Sequence, residues 1–162
     1  MPVYYDDISE GYDGLYSGEQ APKMKILANE LSLSNSDMLL DVGCGTGLSF
    51  RFFNCICYGI DPSQKLLNKN LNKKARLVRA YAEDIPFPDD FFDCIIAVTS
   101  IHNFNNIKKG LSEIKRVGKK KFGFSVLKKS IKFEIIEKII STEFNVKKTI
   151  ENRFDRIFVV LN

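Results

Sequence analysis

Residues 39–50, LLDVGCGTGLSF, place three glycines at alternate positions directly after an apolar run that contains an acid. Such a run followed by closely spaced glycines is typical of a β-strand that turns sharply into a helix. Glycine adopts positive φ angles at little cost and lets the main chain approach a ligand closely. The segment therefore predicts a strand–turn–helix unit of the kind that builds α/β folds.

Short strand-like runs alternate with helical patterns along the rest of the chain. Strands are predicted at 37–43, 55–61, 75–81, 91–98, 121–127, 145–150 and 154–162, and helices at 21–31, 46–53, 62–72, 106–117 and 131–140. This alternation predicts a parallel sheet with helices on both faces. The last two strands are too close in sequence for a crossover helix, so they should be antiparallel. The expected fold class is α/β, with a doubly wound, seven-stranded, mostly parallel sheet and an antiparallel last strand.

Two of the predicted helices carry local expectations. Thr46 is a candidate N-cap for the helix at 46–53. Pro62 would occupy the first turn of the helix at 62–72, in which Leu66, Leu67 and Leu71 would share one face.

The length of 162 residues, with 44% hydrophobic residues, fits one domain over 1–162. Residues 1–35 would form an N-terminal cap segment, and residues 37–162 would form the core. The longest apolar runs are about five residues, far below the ~20 needed to span a bilayer. The N-terminus is acidic and aromatic, unlike a signal peptide. We therefore expect a soluble, cytoplasmic protein with no membrane partner. The spacing of the four cysteines and one histidine predicts no metal site.

Charge is distributed unevenly along the chain. Residues 1–100 carry 9 Lys and Arg against 14 Asp and Glu, whereas residues 101–162 carry 15 against 6. A basic half can attract a phosphate backbone or an acidic partner. The same pattern is also typical of a solvated lysine-rich surface, so both interpretations stay open.

The glycine loop and two acids indicate the type of ligand. The dinucleotide fingerprint is G-x-G-x-x-G, but here Leu48 occupies the place of its third glycine. Asp41 would repel a pyrophosphate, whereas it would attract an ammonium group. Asp61 ends the second predicted strand, where a carboxylate can accept hydrogen bonds from ribose hydroxyls. These residues together predict a nucleoside that carries a cationic amino-acid tail.

The sequence from about residue 37 to 127 resembles the class I S-adenosylmethionine-dependent methyltransferases, in particular small members similar to quinone-biosynthesis methyltransferases. LLDVGCGTG is similar to the first motif of that family, YGIDPSQKLL to the second, and residues 82–104 to the third and fourth. The resemblance implies a Rossmann-like fold, S-adenosylmethionine as methyl donor and S-adenosylhomocysteine as product.

The resemblance also implies which residues contact the cofactor. Members often have G-D-A where this chain has Ala80-Tyr81-Ala82, so Glu83 or Asp84 would replace the acid that reads adenine. The implied contacts are Asp41, Gly43 and Gly45 at the methionine end, Asp61 and Pro62 at the ribose, Ala82, Glu83 and Asp84 at the adenine, Val98 and Thr99 in the cleft, and Tyr12 as a cover.

The methyl acceptor is less constrained. TSIHNF follows the fourth predicted strand, in place of the Asn/Asp-Pro-Pro-aromatic motif that such enzymes use for adenine N6 or glutamine. Oxygen, carboxylate, ring-nitrogen and carbon acceptors remain. His102 is a candidate general base with Asn103 as a companion, although a polar residue that shapes this loop would look the same. Lys128 and Lys129 could face an acidic substrate.

Three functions remain open on the sequence. The first is methyl transfer to a small-molecule acceptor. The second is methylation of RNA (tRNA or rRNA) or protein together with a small zinc-binding activator protein, which the basic half favours. The third is a cofactor-binding regulatory subunit without transfer activity.

Overall fold

The structure, a computed structural model, describes the backbone of residues 12–162 and the side chains of residues 18–162. Its helices are α1 (Tyr12–Leu31), α2 (Gln64–Leu67), α3 (Ile107–Val117) and α4 (Phe133–Glu143), with 3-10 turns at Leu48–Phe52 and Ile101–Asn103. Its strands are β1 (Met38–Val42), β2 (Ile56–Asp61), β3 (Arg76–Arg79), β4 (Phe92–Val98), β5 (Gly118–Leu127), β6 (Val146–Glu151) and β7 (Asp155–Leu161). None of the described helices has the length and apolarity that crossing a membrane requires.

The seven strands form one sheet in the order β3-β2-β1-β4-β5-β7-β6. Strands β1 to β5 pair in parallel, and β7 is antiparallel to both β5 and β6. The predicted fold class is therefore confirmed, including the antiparallel last strand. The chain reverses direction across the sheet between β1 and β4, which leaves a crevice at their carboxyl ends.

Each face of the sheet is covered by its own hydrophobic core. One core packs α3 and α4 against the sheet, with Leu111 and Ile136 fully buried. The other core packs α1 and the first 3-10 turn against the opposite face, through Leu27, Leu31 and Phe50. Central strand β4 contributes to both cores because successive side chains point to opposite faces.

Two local predictions are wrong. The helix expected at 46–53 is a 3-10 turn that begins after Gly47, and no side chain caps it, so Thr46 is not its N-cap. The helix expected at 62–72 is the four-residue α2, with Ser63 as its N-cap, which leaves Pro62 before the helix. The chain leaves the helix at an asparagine-rich turn, in which the Asn70 side chain bonds the backbone of Asn72. Leu71 consequently projects into solvent.

A buried ion pair joins α1 to the sheet. Lys23 Nζ lies 2.9 Å from Asp155 Oδ1, and the two side chains are 1% and 0% exposed. Lys23 also donates to Thr99 Oγ1 at 2.8 Å, and this hydroxyl donates to Asp155 Oδ2 at 2.8 Å. Ser125 Oγ accepts the Thr99 backbone N–H at 3.0 Å. The network therefore connects α1, the end of β4, β5 and the start of β7.

We predict that Lys23→Met destabilises the fold by about 3–5 kcal/mol, because Asp155 would stay buried without its counter-charge. Lys25→Met, which removes an exposed lysine two residues further along α1, should change stability by less than about 0.5 kcal/mol. Urea denaturation measures both. Equal stabilities of the two variants would show that the pair does not hold α1 in place.

Candidate functional site

An open cavity lies at the carboxyl ends of β1, β2, β3 and β4. This is the position at which open α/β sheets bind ligands. The residues that line it come from the four strand ends and the segments that follow them: Val42, Gly43, Ile60, Asp61, Pro62, Leu66, Ala80, Tyr81, Ala82, Glu83, Val98, Thr99, Ser100, Asn103, Phe104 and Asn105.

The glycine loop brings its main chain unusually close to the neighbouring strands. Gly43 has a φ of 80°, and its N–H donates to Ile60 O at 2.8 Å. On the other side, Ser100 Oγ donates to Val42 O at 2.8 Å. A Cβ on Gly43 would lie 2.6 Å from Ser100 Cβ, so only glycine fits here. The loop is therefore fixed between β2 and the residue that follows β4.

Asp61 has a structural role as well as a place in the cavity lining. Its Oδ2 accepts the Gly45 N–H at 2.9 Å, and its Oδ1 accepts the Ser63 N–H at 2.8 Å. The carboxylate thus holds the glycine loop against the start of α2 while facing the cavity. Gly45 itself does not line the cavity, and its φ of 54° is also positive.

Asp41 lies beneath the loop and is almost completely buried. Burial raises the pKa of its carboxyl to about 7; the hydrogen bond from Ser49 Oγ opposes this rise, and the nearby charge of Asp61 adds to it. A buried carboxyl of this kind is readily ionised when a cation approaches. The side chain does not itself line the cavity.

The predicted adenine residues are divided between the cavity and the surface. Ala82 and Glu83 line the cavity, and Glu83 Oε1 also accepts the Asn106 N–H at 2.8 Å before α3. Asp84 is exposed and outside the lining. Tyr81, which replaces the usual acid, lines the cavity and is 42% exposed. Sequence reasoning noted Tyr81 only as a departure from the family motif.

Val98 and Thr99 line the cavity where β4 ends. Thr99 has a φ of 50°, a left-handed conformation that is uncommon for a β-branched residue. Its hydroxyl accepts a hydrogen bond from Lys23 and donates one to Asp155. Ser100, which sequence reasoning missed, contributes the hydroxyl that fixes the end of β1.

His102 lies in the 3-10 turn behind the cavity, and the lining residues next to it are Asn103 and Phe104. Its Nδ1 is buried and has no hydrogen-bond partner among the described residues. Burial lowers the pKa of the imidazole, against the raising effect of the Asp155 carboxylate. The ring is therefore neutral near pH 7, with a nitrogen available for a proton.

Two further predictions concern the edges of the site. Tyr12 begins α1, but its side chain lies outside the described residues. Lys128 follows β5, where its Nζ donates to Asn152 O at 2.7 Å. Over residues 18–162, no group of three or more His, Cys, Asp or Glu side chains is suited to hold a metal ion.

The family model described as "Methyltransferase domain" matches residues 40–122, which is about half of the chain and includes the glycine loop, Asp61 and β4. The chain belongs to the class I S-adenosylmethionine-dependent methyltransferases. The resemblance predicted from the motifs is thereby confirmed.

Curated relatives align with part of this methyltransferase. An uncharacterised protein of Methanocaldococcus jannaschii is 34% identical over 118 residues, which cover 70% of this chain and 45% of the relative. A ubiquinone/menaquinone biosynthesis C-methyltransferase of Pectobacterium atrosepticum is 43% identical over 93 residues, which cover 49% of this chain and 37% of the relative. The matched regions span less than half the length of these relatives.

Solved structures share the fold of the methyltransferase. An S-adenosylmethionine-dependent methyltransferase from Aquifex aeolicus superposes with a TM-score of 0.73 at 20% identity, covering 85% of this chain and 88% of that one. A chain from a complex between the Haloferax volcanii Trm112 methyltransferase activator and a methyltransferase gives a TM-score of 0.63 at 20% identity, covering 75% and 59%. At these identities the likeness concerns the fold alone.

We predict that the chain loses stability as pH rises towards 7, through Asp41. The pKa of Asp41 is higher in the folded chain than in the unfolded chain, so between about pH 4 and 7 the folded chain holds a proton that the unfolded chain releases. The contribution of this group to the free energy of unfolding is therefore greatest below about pH 4. It falls by as much as about 4 kcal/mol as the pH rises to about 7.

Asp41→Asn tests this pH dependence. The difference in unfolding free energy between the variant and the wild type should grow in favour of the variant from pH 4 to pH 8, because the amide has no proton to lose. Asp84→Asn removes an exposed carboxyl and serves as the control. A difference that does not vary with pH would contradict the buried, proton-holding state of Asp41.

Proposed function

We propose that the protein transfers a methyl group from S-adenosylmethionine to a small-molecule acceptor. The observation that supports it most is the cavity, which Gly43 and Asp61 line and behind which the carboxyl of Asp41 is buried. The cofactor supplies a methyl group on a positively charged sulfur, which leaves readily when a nucleophile attacks.

The residues present fit this cofactor. Asp61 would accept hydrogen bonds from the ribose hydroxyls with the lone pairs that face the cavity, beside Pro62. Gly43 lets the main chain approach the methionine portion, and the Asp41 charge behind the loop would attract its ammonium group through Gly45 and its neighbours. The carboxyl of Asp41, with a pKa of about 7, can carry the negative charge that this attraction requires near neutral pH.

The adenine would lie between Ala82 and Phe104, next to Glu83. Because Asp84 is outside the cavity, Glu83 is our candidate for the acid that reads the exocyclic amine, and the ring of Tyr81 would cover the open side of the base. Tyr12 remains our candidate for a further cover from the N-terminal segment.

The chain itself mainly has to align donor and acceptor, because direct displacement from a sulfonium requires little further chemistry. Val98 and Thr99 would form the surface against which the acceptor approaches the methyl group. Thr99 is held rigidly by the buried Lys23 and Asp155, so its contribution is a fixed wall rather than a mobile contact.

His102 is our candidate for the group that removes a proton from a hydroxyl or enol acceptor. Its imidazole is neutral near pH 7, and its Nδ1 has no partner among the described residues. The adjoining Asn103 lines the cavity, so a small shift of this turn would bring the ring to an acceptor.

A small-molecule acceptor is supported by the kind of relative that the chain matches. Several curated relatives are named for quinone biosynthesis, including the Pectobacterium atrosepticum enzyme and a demethylmenaquinone methyltransferase of Tropheryma whipplei that is 35% identical over 94 residues. These names describe those proteins, and the acceptor of this chain follows from them only by analogy.

The direct test uses S-adenosylmethionine labelled in its methyl group. The protein is incubated with a cell extract, and the products are separated by nuclease, protease and size; label in the small-molecule fraction is the expected result. Gly43→Ala should abolish both cofactor binding and transfer, because the new methyl group collides with Ser100. Gly18→Ala, whose added Cβ meets no atom of the described residues within 4 Å, should leave both unchanged. Binding of the cofactor without transfer to any fraction would favour the regulatory-subunit function.

We predict that His102→Ala lowers the turnover number with little change in cofactor affinity, by about 10²–10⁴-fold if the residue acts as a general base. The wild-type rate should rise with pH below about pH 6.5 as the imidazole loses its proton, and the variant should lose this limb. Asn105→Ala, at another lining position, is the control. Equal kinetics and equal pH profiles for His102→Ala and the wild type would remove His102 from the chemistry.

A second function has specific support in the basic C-terminal half and the activator complex among the structural neighbours. The protein would then methylate RNA or protein together with a small zinc-binding activator. In the same experiment, label that disappears with RNase or protease would favour this function, and RNA binding would weaken steeply with salt.

A further inference from the structure

Two isoleucines project into solvent around the start of α4. Ile131, in the turn before α4, is 99% exposed, and Ile135, in the first turn of α4, is 56% exposed. Single exposed aliphatic side chains are ordinary on protein surfaces. Two of them four residues apart, at the start of one helix, form an apolar point that nothing in the described chain covers.

Lysines surround these isoleucines. Lys129, Lys132 and Lys138 are exposed and flank Ile131 and Ile135 along the chain. We name these five residues the amphipathic patch. Spacing of three residues puts Lys138 on the same face of α4 as Ile135.

The acidic side chains of α4 do not neutralise the lysines of the patch. Glu137 is engaged by Arg156, and Glu143 lies 3.6 Å from Lys115. Glu134 is exposed in the first turn of the helix. Three lysines against one carboxylate with no ion pair in the described structure give the patch a net positive charge.

The patch is joined directly to the candidate active site. Lys132 Nζ donates to His102 O at 3.0 Å, and the next residue, Asn103, lines the cavity. Whatever occupies the patch therefore lies close to the 3-10 turn that contributes Asn103 to the cavity lining.

We propose that the amphipathic patch docks the protein onto an anionic phospholipid surface. Lysines are attracted to anionic headgroups, and exposed aliphatic side chains enter the boundary between headgroups and acyl chains. A phosphate backbone would be bound by the lysines alone and would leave Ile131 in water, so the two isoleucines favour the lipid surface. Peripheral docking of this kind needs no membrane-spanning run, and the sequence pattern that predicted no membrane partner did not reveal it.

Docking would also indicate the class of methyl acceptor. This step, unlike docking itself, rests on the proposed function. With the patch on the membrane, the turn that carries Asn103 into the cavity lining would lie close to the lipid, so the acceptor class would be a lipid-soluble molecule taken from the bilayer. Docking itself does not depend on methyl transfer and can be measured without cofactor or acceptor.

Sedimentation with vesicles tests the proposal. The full chain should bind vesicles of phosphatidylcholine and phosphatidylglycerol in equal parts, bind phosphatidylcholine vesicles weakly, and dissociate as salt is raised. Ile131→Asp and the double variant Lys129→Glu/Lys138→Glu should each weaken binding by about tenfold or more. Both changes are at exposed positions, and S-adenosylmethionine binding by each variant reports that the fold is intact.

Leu71→Asp is the matched control, because Leu71 is 85% exposed and the substitution adds the same charge to a turn in another part of the chain. It should leave vesicle binding unchanged. Equal binding to neutral and anionic vesicles, or equal loss in Leu71→Asp and Ile131→Asp, would overturn the proposal. Binding to single-stranded RNA but not to vesicles would also overturn it, if Lys129→Glu/Lys138→Glu abolished the RNA binding and Ile131→Asp did not. Failure of methyl transfer with vesicle binding intact would count against the proposed function and leave the docking surface standing.

Discussion

The buried pair of Lys23 and Asp155 is the interaction on which the geometry of the site depends. Neither charge can be removed from water at acceptable cost without the other, so α1, the end of β4 and the start of β7 must meet in one arrangement. Thr99 satisfies both partners and is held in a left-handed conformation by doing so. The wall of the cavity therefore becomes fixed only when the first helix and the last strand are both in place.

The opposite wall depends on main-chain contacts rather than charge. Gly43 donates to β2 and is covered by Ser100, while Asp61 accepts the N–H groups of Gly45 and Ser63. A carboxylate that these two N–H groups already hold has a fixed orientation, so a ligand would not have to order it. Asp41 completes the arrangement as a buried acid whose ionisation costs stability and whose charge favours a cationic ligand.

The buried pair of Lys23 and Asp155 and the amphipathic patch lie outside the segment that the family model matches. The family match ends at residue 122, and it contains the glycine loop, Asp61 and β4. Lys23 precedes this segment, whereas Asp155 and the amphipathic patch follow it. Such a division is expected where one cofactor is bound in a common way and each member recognises its own acceptor. Experiments on the acceptor should therefore concentrate on α1, α4 and β7.

The sequence by itself determined the succession of strands along the chain, the antiparallel last strand, the glycine loop and the acid at the end of β2. Periodicity, turn residues and motif spacing are local properties. It did not determine the length of α2, where asparagine side chains compete with the helix for backbone hydrogen bonds. The pairing of Lys23 with Asp155 spans 132 residues and leaves no local pattern in either segment. Sequence also could not show that Ile135 is exposed, because burial depends on which face of α4 packs against the sheet. Only the tertiary structure decides which distant charges neutralise each other and which apolar side chains remain in water.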